Sequence, residues 1–294
     1  MKKISLITGA TDGIGKMTAL ALARAGQHVV IHGRNQAKAQ QVVHEVITAT
    51  GNPDVDYLIA DLFSLAAIQQ MATQFNQRYD HLDTLINNAG AVFDNQRVET
   101  ADGIEKTMAL NVLAPFLLTR LLLPSLLKSQ DGRIINMSSA SHRASGRPDL
   151  DDLNLSGNYS GQRRYSLSKL FVIWNTQHQA VLLQQRGITH VTVNASHPGA
   201  VATNFGQASN KGWLVNSIYK IALALSKHGP FHAMAAPERG AATNVYLATS
   251  PAVQGISGAF WGKSKQQQPA TRYYSAADEQ RVWDYCLRVV QPYL

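Results

Sequence analysis

Short apolar runs alternate with longer amphipathic segments through the first two-thirds of this chain, and that alternation constrains the fold more than any other feature. The runs at 4–7, 29–31, 55–59, 84–86, 133–137 and 191–193 read as buried strands. The segments at 14–25, 36–48, 65–75, 104–127 and 165–185 read as helices. Helices set between apolar strands imply parallel pairing through right-handed crossovers. The expected architecture is α/β: a doubly wound parallel sheet of about seven strands with helices on both faces. Gly26 and Gly187 stand where two of the helices should stop, in a left-handed position that glycine tolerates. After Pro198 the pattern weakens. There, 213–225 reads as an apolar-rich helix ended by Gly229-Pro230, 237–247 as a helix, 255–261 as a last strand and 276–290 as a closing helix. No repeat or linker is visible, so 1–294 reads as one domain with a covering segment at about 204–237 and a helical tail at about 264–294. The glutamine patch 266–268 reads as a loop.

Composition removes several classes of function. A chain of 294 residues, 45% hydrophobic and 16% charged, has a globular balance. A lone cysteine, Cys286, excludes an intrachain disulfide and a multi-cysteine zinc site, and fits a reducing compartment. The net charge of +8 suggests acidic partners, but Lys and Arg are scattered beyond Lys2-Lys3 and Arg163-Arg164, and no nucleic-acid stripe emerges. The apolar stretch after Lys2-Lys3 ends at Thr8-Gly9, too soon for an export signal. Residues 117–127 are interrupted by Thr119, Arg120, Pro124 and Ser125, so no transmembrane segment is read there. The expectation is a soluble, cytoplasmic protein without nucleic-acid partners. His44-Glu45 lacks the second histidine of a zincin because Thr48 occupies its place, so no metal site is expected. No G-x-S-x-G elbow is present either.

The first strand runs into Thr8-Gly9-Ala10-Thr11-Asp12-Gly13-Ile14-Gly15, which opens a helix. Such a loop lets backbone approach a pyrophosphate, while the helix N-terminus supplies free N–H groups and positive potential. The alternative is a plain strand–helix turn, yet the position inside the first βαβ unit favours a dinucleotide. The second strand is followed by Gly33-Arg34-Asn35, and no acid occurs between Asp12 and Glu45. An acid there would suit the ribose diol of NAD(H), whereas a guanidinium grips a 2′-phosphate. Arg34 therefore predicts NADP(H), unless it is only a solvated turn residue.

Tyr165 and Lys169 stand four apart and share one helix face. A cation near a phenol favours phenolate and draws its pKa towards neutrality. Asn87-Asn88-Ala89-Gly90 follows the fourth strand, Asn111 lies in the next helix, Ser138-Ser139 end the fifth strand, and His197-Pro198-Gly199 follow the sixth. All fall at strand C-terminal ends or on adjoining helices, the edge where open α/β sheets place ligands.

With its T-G-x-x-x-G-I-G, N-N-A-G, Y-x-x-x-K and P-G elements in order, the chain resembles the short-chain dehydrogenase/reductase family over nearly its whole length. The run Ser138-Ser139-Ala140-Ser141-His142-Arg143 and the tail around 257–261 look most like the retinol-dehydrogenase and WW-domain-oxidoreductase branch. The resemblance implies a Rossmann-like fold and an NADP(H)-dependent interconversion of a carbonyl compound and its alcohol. It implies Tyr165 as general acid/base, Lys169 as the group that lowers the tyrosine pKa and holds the nicotinamide ribose, Ser139 on the substrate oxygen, and Asn111 on a water linking Lys169 to solvent. Cofactor contacts are implied for Gly9, Thr11, Asp12, Gly13, Ile14, Gly15, Arg34, Asp61, Leu62, Asn87, Ala89, Gly90, Tyr165, Lys169, Pro198, Gly199 and Thr203. Asp61 also reads as a loop-starting acid, Asn87 as a turn former, and Asn111 as a helix polar residue beside a kinking Pro115.

One departure from the family is the 26-position separation of Ser139 from Tyr165, whose intervening segment is polar and turn-rich. It leaves Ser138, Ser139 and Ser141 all open as the catalytic serine; the family pattern selects Ser139. Phe205, Trp213, Leu214, Ile218, Tyr219, Ile221, Ala222 and Leu225 could form an apolar lid over a bulky hydrophobic carbonyl or alcohol, or simply complete the core. The family association implies a homodimer or homotetramer through the helices holding Asn111 and Tyr165, with a monomer left open. A dinucleotide-responsive binding or regulatory protein without turnover is the rival reading.

Overall fold

The apolar runs become strands of one sheet in the computed structural model, which describes residues 2–199 and 237–294. In chain order these are β1 (Ile4–Ile7), β2 (His28–Gly33), β3 (Val55–Ile59), β4 (Thr84–Asn87), β5 (Gly132–Met137), β6 (Val191–His197), β7 (Phe260–Gly262) and β8 (Lys265–Gln267). Their spatial order is β3-β2-β1-β4-β5-β6-β7-β8. All neighbours pair in parallel except β7 with β8. The sheet thus has eight strands where about seven are expected. The extra one is β8, which takes in Gln266 and Gln267 from the patch read as a loop. Between β7 and β8, Lys263 (φ 53°) and Ser264 (φ 56°) are both left-handed, the backbone of a two-residue hairpin turn. Neither is Gly or Asn, so the usual signal for such a turn is missing.

The helices are α1 (Gly13–Arg24), α2 (Gln36–Thr50), α3 (Leu65–Arg78), α4 (Lys106–Met108), α5 (Ala114–Leu126), α6 (Gly161–Gln185), α7 (Pro237–Thr249) and α8 (Ala276–Val290). Adjacent strand residues point to opposite faces, and both faces are apolar. Leu6, Val30 and Leu85 pack with α3, α5, α6 and α8, whereas Ile7, Val29, Ile31 and Ile86 pack with α1, α2 and α7. Burial on both faces is what a parallel sheet between helix layers requires. Polar side chains fix several helix starts: Asn35 accepts from Lys38 N, Ser64 from Ala67 N and Ser160 from Arg163 N. Gly26 (φ 76°) and Gly187 (φ 69°) are left-handed after α1 and α6, as expected.

The single helix expected over 104–127 is instead three pieces. Between α4 and α5 the chain widens into a π turn, Ala109–Leu113, that contains Asn111. Pro115 stands in the first turn of α5 and has no N–H to give the Asn111 carbonyl four residues back, so a regular α-turn cannot close there. The stretch Lys106–Leu126 is apolar and long enough to cross a membrane by length and composition, yet two-thirds of it is buried inside the fold. It serves as a core element, with Leu113, Leu117 and Leu122 fully enclosed.

α8 lies against α6 and α5. Trp283 meets Phe116 edge-on at 4.7 Å, His178 pairs with Glu279 at 3.1 Å, and Asn175 donates to Cys286 Sγ. The closing helix therefore covers part of the helices through which the family resemblance implies oligomers. Burial pushes the Cys286 thiol up to about 12, which leaves it inert.

Candidate active site

The order in which the chain adds strands reverses between β1 and β4, the two parallel strands from which it winds outward to either side. A crevice opens at such a switch point, beyond the strand C-terminal ends. There the loop after β1 is held from both sides. Gly9 (φ 62°) donates its N–H to His32 Nδ1 at 3.2 Å, and Asn88 Nδ2 donates to the carbonyls of Thr8 (2.9 Å) and Gly9 (3.3 Å). Ala89 N donates to Thr8 Oγ1 at 3.0 Å. A β-carbon on Gly15 would overlap the Gly9 carbonyl oxygen, so only glycine lets the helix start this close to the loop. Gly33 is likewise pressed against Thr11, whose Cγ2 a β-carbon would meet at 2.5 Å.

His32 is a contributor that the sequence did not reveal. Its Nε2 donates to the Ala60 carbonyl at 3.1 Å while Nδ1 accepts from Gly9, so one buried neutral ring ties the ends of β1, β2 and β3 together. Burial lowers its pKa to about 4, which keeps it neutral. Nothing local distinguishes this histidine from any other strand histidine; the signal is its place beside a glycine loop one strand away.

Arg34 is exposed at the mouth of the crevice and has no carboxylate partner among the described residues. Nearby, Asp12 caps α1 through Gly13 N and pairs with Lys38 at 3.2 Å. Asp61 is exposed and accepts from Phe63 N, whereas Leu62 is buried and lines a narrow cleft with Thr8, Asn87, Ala89 and Leu110. Asn87 does more than turn the chain. Its amide donates to Thr119 Oγ1 and Asn136 Oδ1, and Asn136 in turn donates to Thr176 Oγ1, a polar ladder through the core. Its Oδ1 remains buried without a partner.

The second half of the site comes from β5 and α6. Tyr165 and Lys169 lie one turn apart on α6, with Lys169 Nζ 5.6 Å from the phenol ring centre and bonded to the Met137 carbonyl at 2.7 Å. Ser138 donates its hydroxyl to the Lys169 carbonyl at 2.7 Å, whereas Ser139 stands by the Tyr165 phenol and draws its pKa down. Alternation at the end of β5 thus separates the two serines: one braces the helix and the other reaches the phenol. Ser141 gives its N–H to Ser139 Oγ at 3.2 Å, and its own buried hydroxyl meets no partner. We expect Ser139→Ala to lower turnover about tenfold or more, the loss of one hydrogen bond to a reacting oxygen. Ser138→Ala should lower stability by about 1 kcal/mol and change turnover little. Steady-state rates and melting curves of both variants check this pair.

Asn111 projects from the π turn and is fully engaged. It exchanges two 3.0 Å bonds with the backbone of Ala91 and donates to Ser168 Oγ, which donates to the Tyr165 carbonyl. Its amide therefore fastens the loop after β4 to α6. Gly90 sits between Asn111 and Lys169, and a β-carbon there would lie 3.1 Å from each. Pro198 and Gly199 (φ 77°) follow β6 at the same edge, while Thr203 and the apolar segment expected at 204–237 fall outside the described residues except Pro237.

One electrostatic expectation is corrected. Burial is the largest influence on both central groups: it pushes Tyr165 up to about 12 and Lys169 down to about 7. The hydrogen bond from Ser139 opposes the shift in Tyr165. An enclosed site penalises phenolate and ammonium alike, and it depletes the very cation expected to acidify the phenol.

These residues fit a dinucleotide by shape. Glycines at 9, 15 and 90 let the loop after β1, the start of α1 and the loop after β4 pack closely at the crevice, and Asn87, whose buried Oδ1 has no hydrogen-bond partner among the described residues, lines the adjoining cleft. The family model for short chain dehydrogenase matches residues 3–213. The chain belongs to the short-chain dehydrogenase family. Its curated relatives put this short-chain dehydrogenase in the retinol-dehydrogenase branch. Human polyprenol dehydrogenase is 35% identical over 96% of the chain and 83% of the relative, and human retinol dehydrogenase 14 is 36% identical over 96% and 84%. Among solved structures, an Escherichia coli CFT073 protein complexed with NADPH superposes with a TM-score of 0.67 at 27% identity, covering 90% of this chain and 97% of that one. An uncharacterised Mycobacterium paratuberculosis protein reaches 0.75 at 26% identity, over 98% and 93%. Family membership points to an oxidoreductase acting on CH–OH groups.

Proposed function

We propose that the protein is an NADP(H)-dependent oxidoreductase that interconverts a hydrophobic ketone or aldehyde and its alcohol. The observation that carries this reading is the Tyr165–Lys169 pair, with Nζ 5.6 Å from the phenol ring centre, placed on α6 at the crevice that the glycine loop opens. NADP(H), when bound, supplies or accepts the hydride. Gly9, Thr11, Asp12, Gly13, Ile14 and Gly15 would hold its pyrophosphate, Arg34 the 2′-phosphate, Asp61, Leu62, Asn87, Ala89 and Gly90 the adenosine side, and Pro198, Gly199 and Thr203 the nicotinamide end. Lys169 would hold the ribose hydroxyls.

In the reducing direction Tyr165 gives its phenolic proton to the carbonyl oxygen, and burial keeps that proton in place through the neutral range. Ser139 donates a hydrogen bond to the same oxygen as negative charge develops on it. Asn111 and Ser168 keep the first turns of α6 fixed against the loop after β4, so the phenol holds its aim. The apolar substrate is supported by the hydrophobic residues in 204–237 and by relatives named for polyprenol and retinol.

The coenzyme assignment has its own test. Arg34→Asp should lower kcat/KM with NADPH by about tenfold or more and narrow the gap to NADH, since one charge-assisted contact contributes about 1.5–3 kcal/mol. Efficiencies measured with both coenzymes check it; a preference unmoved by the substitution would count against Arg34. A panel of carbonyl substrates followed by NADPH absorbance tests the whole reading, and coenzyme binding without turnover of any of them would favour a regulatory binding protein.

A further inference from the structure

Two buried imidazoles flank one phenyl ring behind the site. His142, in the 3-10 turn Ala140–Ala144 after Ser139, has its Nδ1 2.6 Å from the Ser139 carbonyl oxygen, while its Nε2 accepts the Ala270 N–H at 3.0 Å. A ring nitrogen facing a carbonyl must carry the proton and one facing an N–H must not, so this ring is the neutral Nδ1–H tautomer. His197, the last residue of β6, accepts the Gly199 N–H on Nδ1 at 3.2 Å and donates from Nε2 to Gln267 Oε1 at 3.0 Å. Gln267 Nε2 donates to the Gly262 carbonyl, which fixes the orientation of its amide. Between the two rings lies Phe260, edge-on to His142 at 4.9 Å and stacked on His197 at 5.2 Å. A β-carbon on Gly262 would overlap the His197 ring, so β7 carries glycine where that ring lies.

Both imidazoles thus end on the same element. The turn carrying Ser139 and the Pro198-Gly199 turn are separate in sequence, yet each is fastened to the β7–β8 hairpin and the segment just after it. We propose that His142 and His197 are positioning residues that lock the Ser139 turn and the Gly199 turn onto the β7–β8 hairpin, so that the substrate-side and nicotinamide-side walls of the site are held as one unit. The proposal rests on the reading of Ser139 and Gly199 as site residues. Each ring holds its turn only while neutral, because a proton on Nε2 of His142 or Nδ1 of His197 removes the acceptor for Ala270 or Gly199. The charged and titratable groups facing His142 are Arg143 and the neutral His197, with Arg272, Tyr273 and Tyr274 across the adjoining cavity. Those facing His197 are Arg143 and Lys263. Among the described residues none of these is a carboxylate, so no charge there favours the protonated rings.

The test combines amide hydrogen exchange with kinetics on the full chain. His142→Phe keeps the ring packing on Phe260 but removes both hydrogen bonds. It should speed exchange at Ala270 and lower kcat about tenfold, with KM for NADPH unchanged within about twofold. His142→Gln keeps an amide oxygen able to accept from Ala270 N and should restore protection at Ala270 together with most of kcat. His197→Phe and Gly262→Ala should both speed exchange at Gly199 and weaken NADPH binding about tenfold, although Gly262 is not among the residues assigned to substrate or coenzyme. Unchanged exchange at Ala270 in His142→Phe would overturn the proposal. So would equal losses of kcat in the Phe and Gln variants that track their melting temperatures, since the ring would then be filler. If the wild type binds NADPH and reduces no carbonyl, the functional reading fails, while the exchange data still decide whether these rings hold the two turns.

Discussion

Tyr165→Phe is expected to lower carbonyl reduction by about 10²–10⁴-fold, the range for removing a positioned general acid, while leaving NADPH affinity within about twofold. The substitution takes away one hydroxyl and leaves the ring, which is 7% exposed and packed under the site. The main-chain contacts around it stay in place: Ser168 bonds the Tyr165 carbonyl, and the helix start is held by Ser160. Ser139 loses its phenolic partner but remains exposed enough to find water or substrate. The change should therefore appear almost wholly in kcat. Fluorescence titration with NADPH and single-turnover rates separate binding from chemistry. A variant that turns over at the wild-type rate would remove Tyr165 from the mechanism, and with it the reading of this crevice as a reductase site.

Lys169→Met should have opposite effects on activity and stability. Lys169 is 2% exposed, makes its one side-chain hydrogen bond to Met137, and has burial as the cause of its depressed pKa of about 7. The unfolded chain holds that proton up to about pH 10.4. Between the two values the unfolded state binds more protons, so this group makes the wild type more stable as pH rises from about 7 towards 10, and its penalty is largest below 7. Methionine fills a similar volume without the buried charge. We expect a higher melting temperature at pH 6–7, by about 2–4 °C for each kcal/mol regained, with the advantage shrinking towards pH 10. Turnover should fall by at least about 10²-fold through loss of the ribose-holding cation. Calorimetry across pH, alongside turnover, checks both halves; a variant less stable than wild type at pH 6 would show that the ammonium is better solvated than its burial implies.

The corrections have separate physical causes. The helix containing Asn111 looked continuous because its apolar period runs unbroken through residues 104–127, and only the missing N–H of Pro115 marks the π turn. The strand β8 was invisible because its edge position lets a Lys-Gln-Gln segment pair without apolar residues, after a turn built from Lys263 and Ser264. The segment between Ser139 and Tyr165 reads as polar, yet Leu153 and Leu155 are buried and anchor it. The π turn thus follows from a residue in the same segment, whereas β8 and the buried leucines follow from contacts with other parts of the chain.

What the linear order of residues determined by itself was the doubly wound scheme, the glycine loop opening α1, and the Tyr165–Lys169 pair on one helix face. Each depends on spacing within a single element or its immediate neighbours, and the periods of strand and helix carry that directly. Only the tertiary structure decided which serine meets the phenol, that burial outweighs the ammonium in setting the Tyr165 proton, and that His32, His142 and His197 pin the loops of the crevice. Those outcomes depend on solvent exclusion and on partners 20 or more positions away, such as Gly9 for His32 and Ala270 for His142. Desolvation and long-range hydrogen bonding exist only once the sheet has brought its strand ends together.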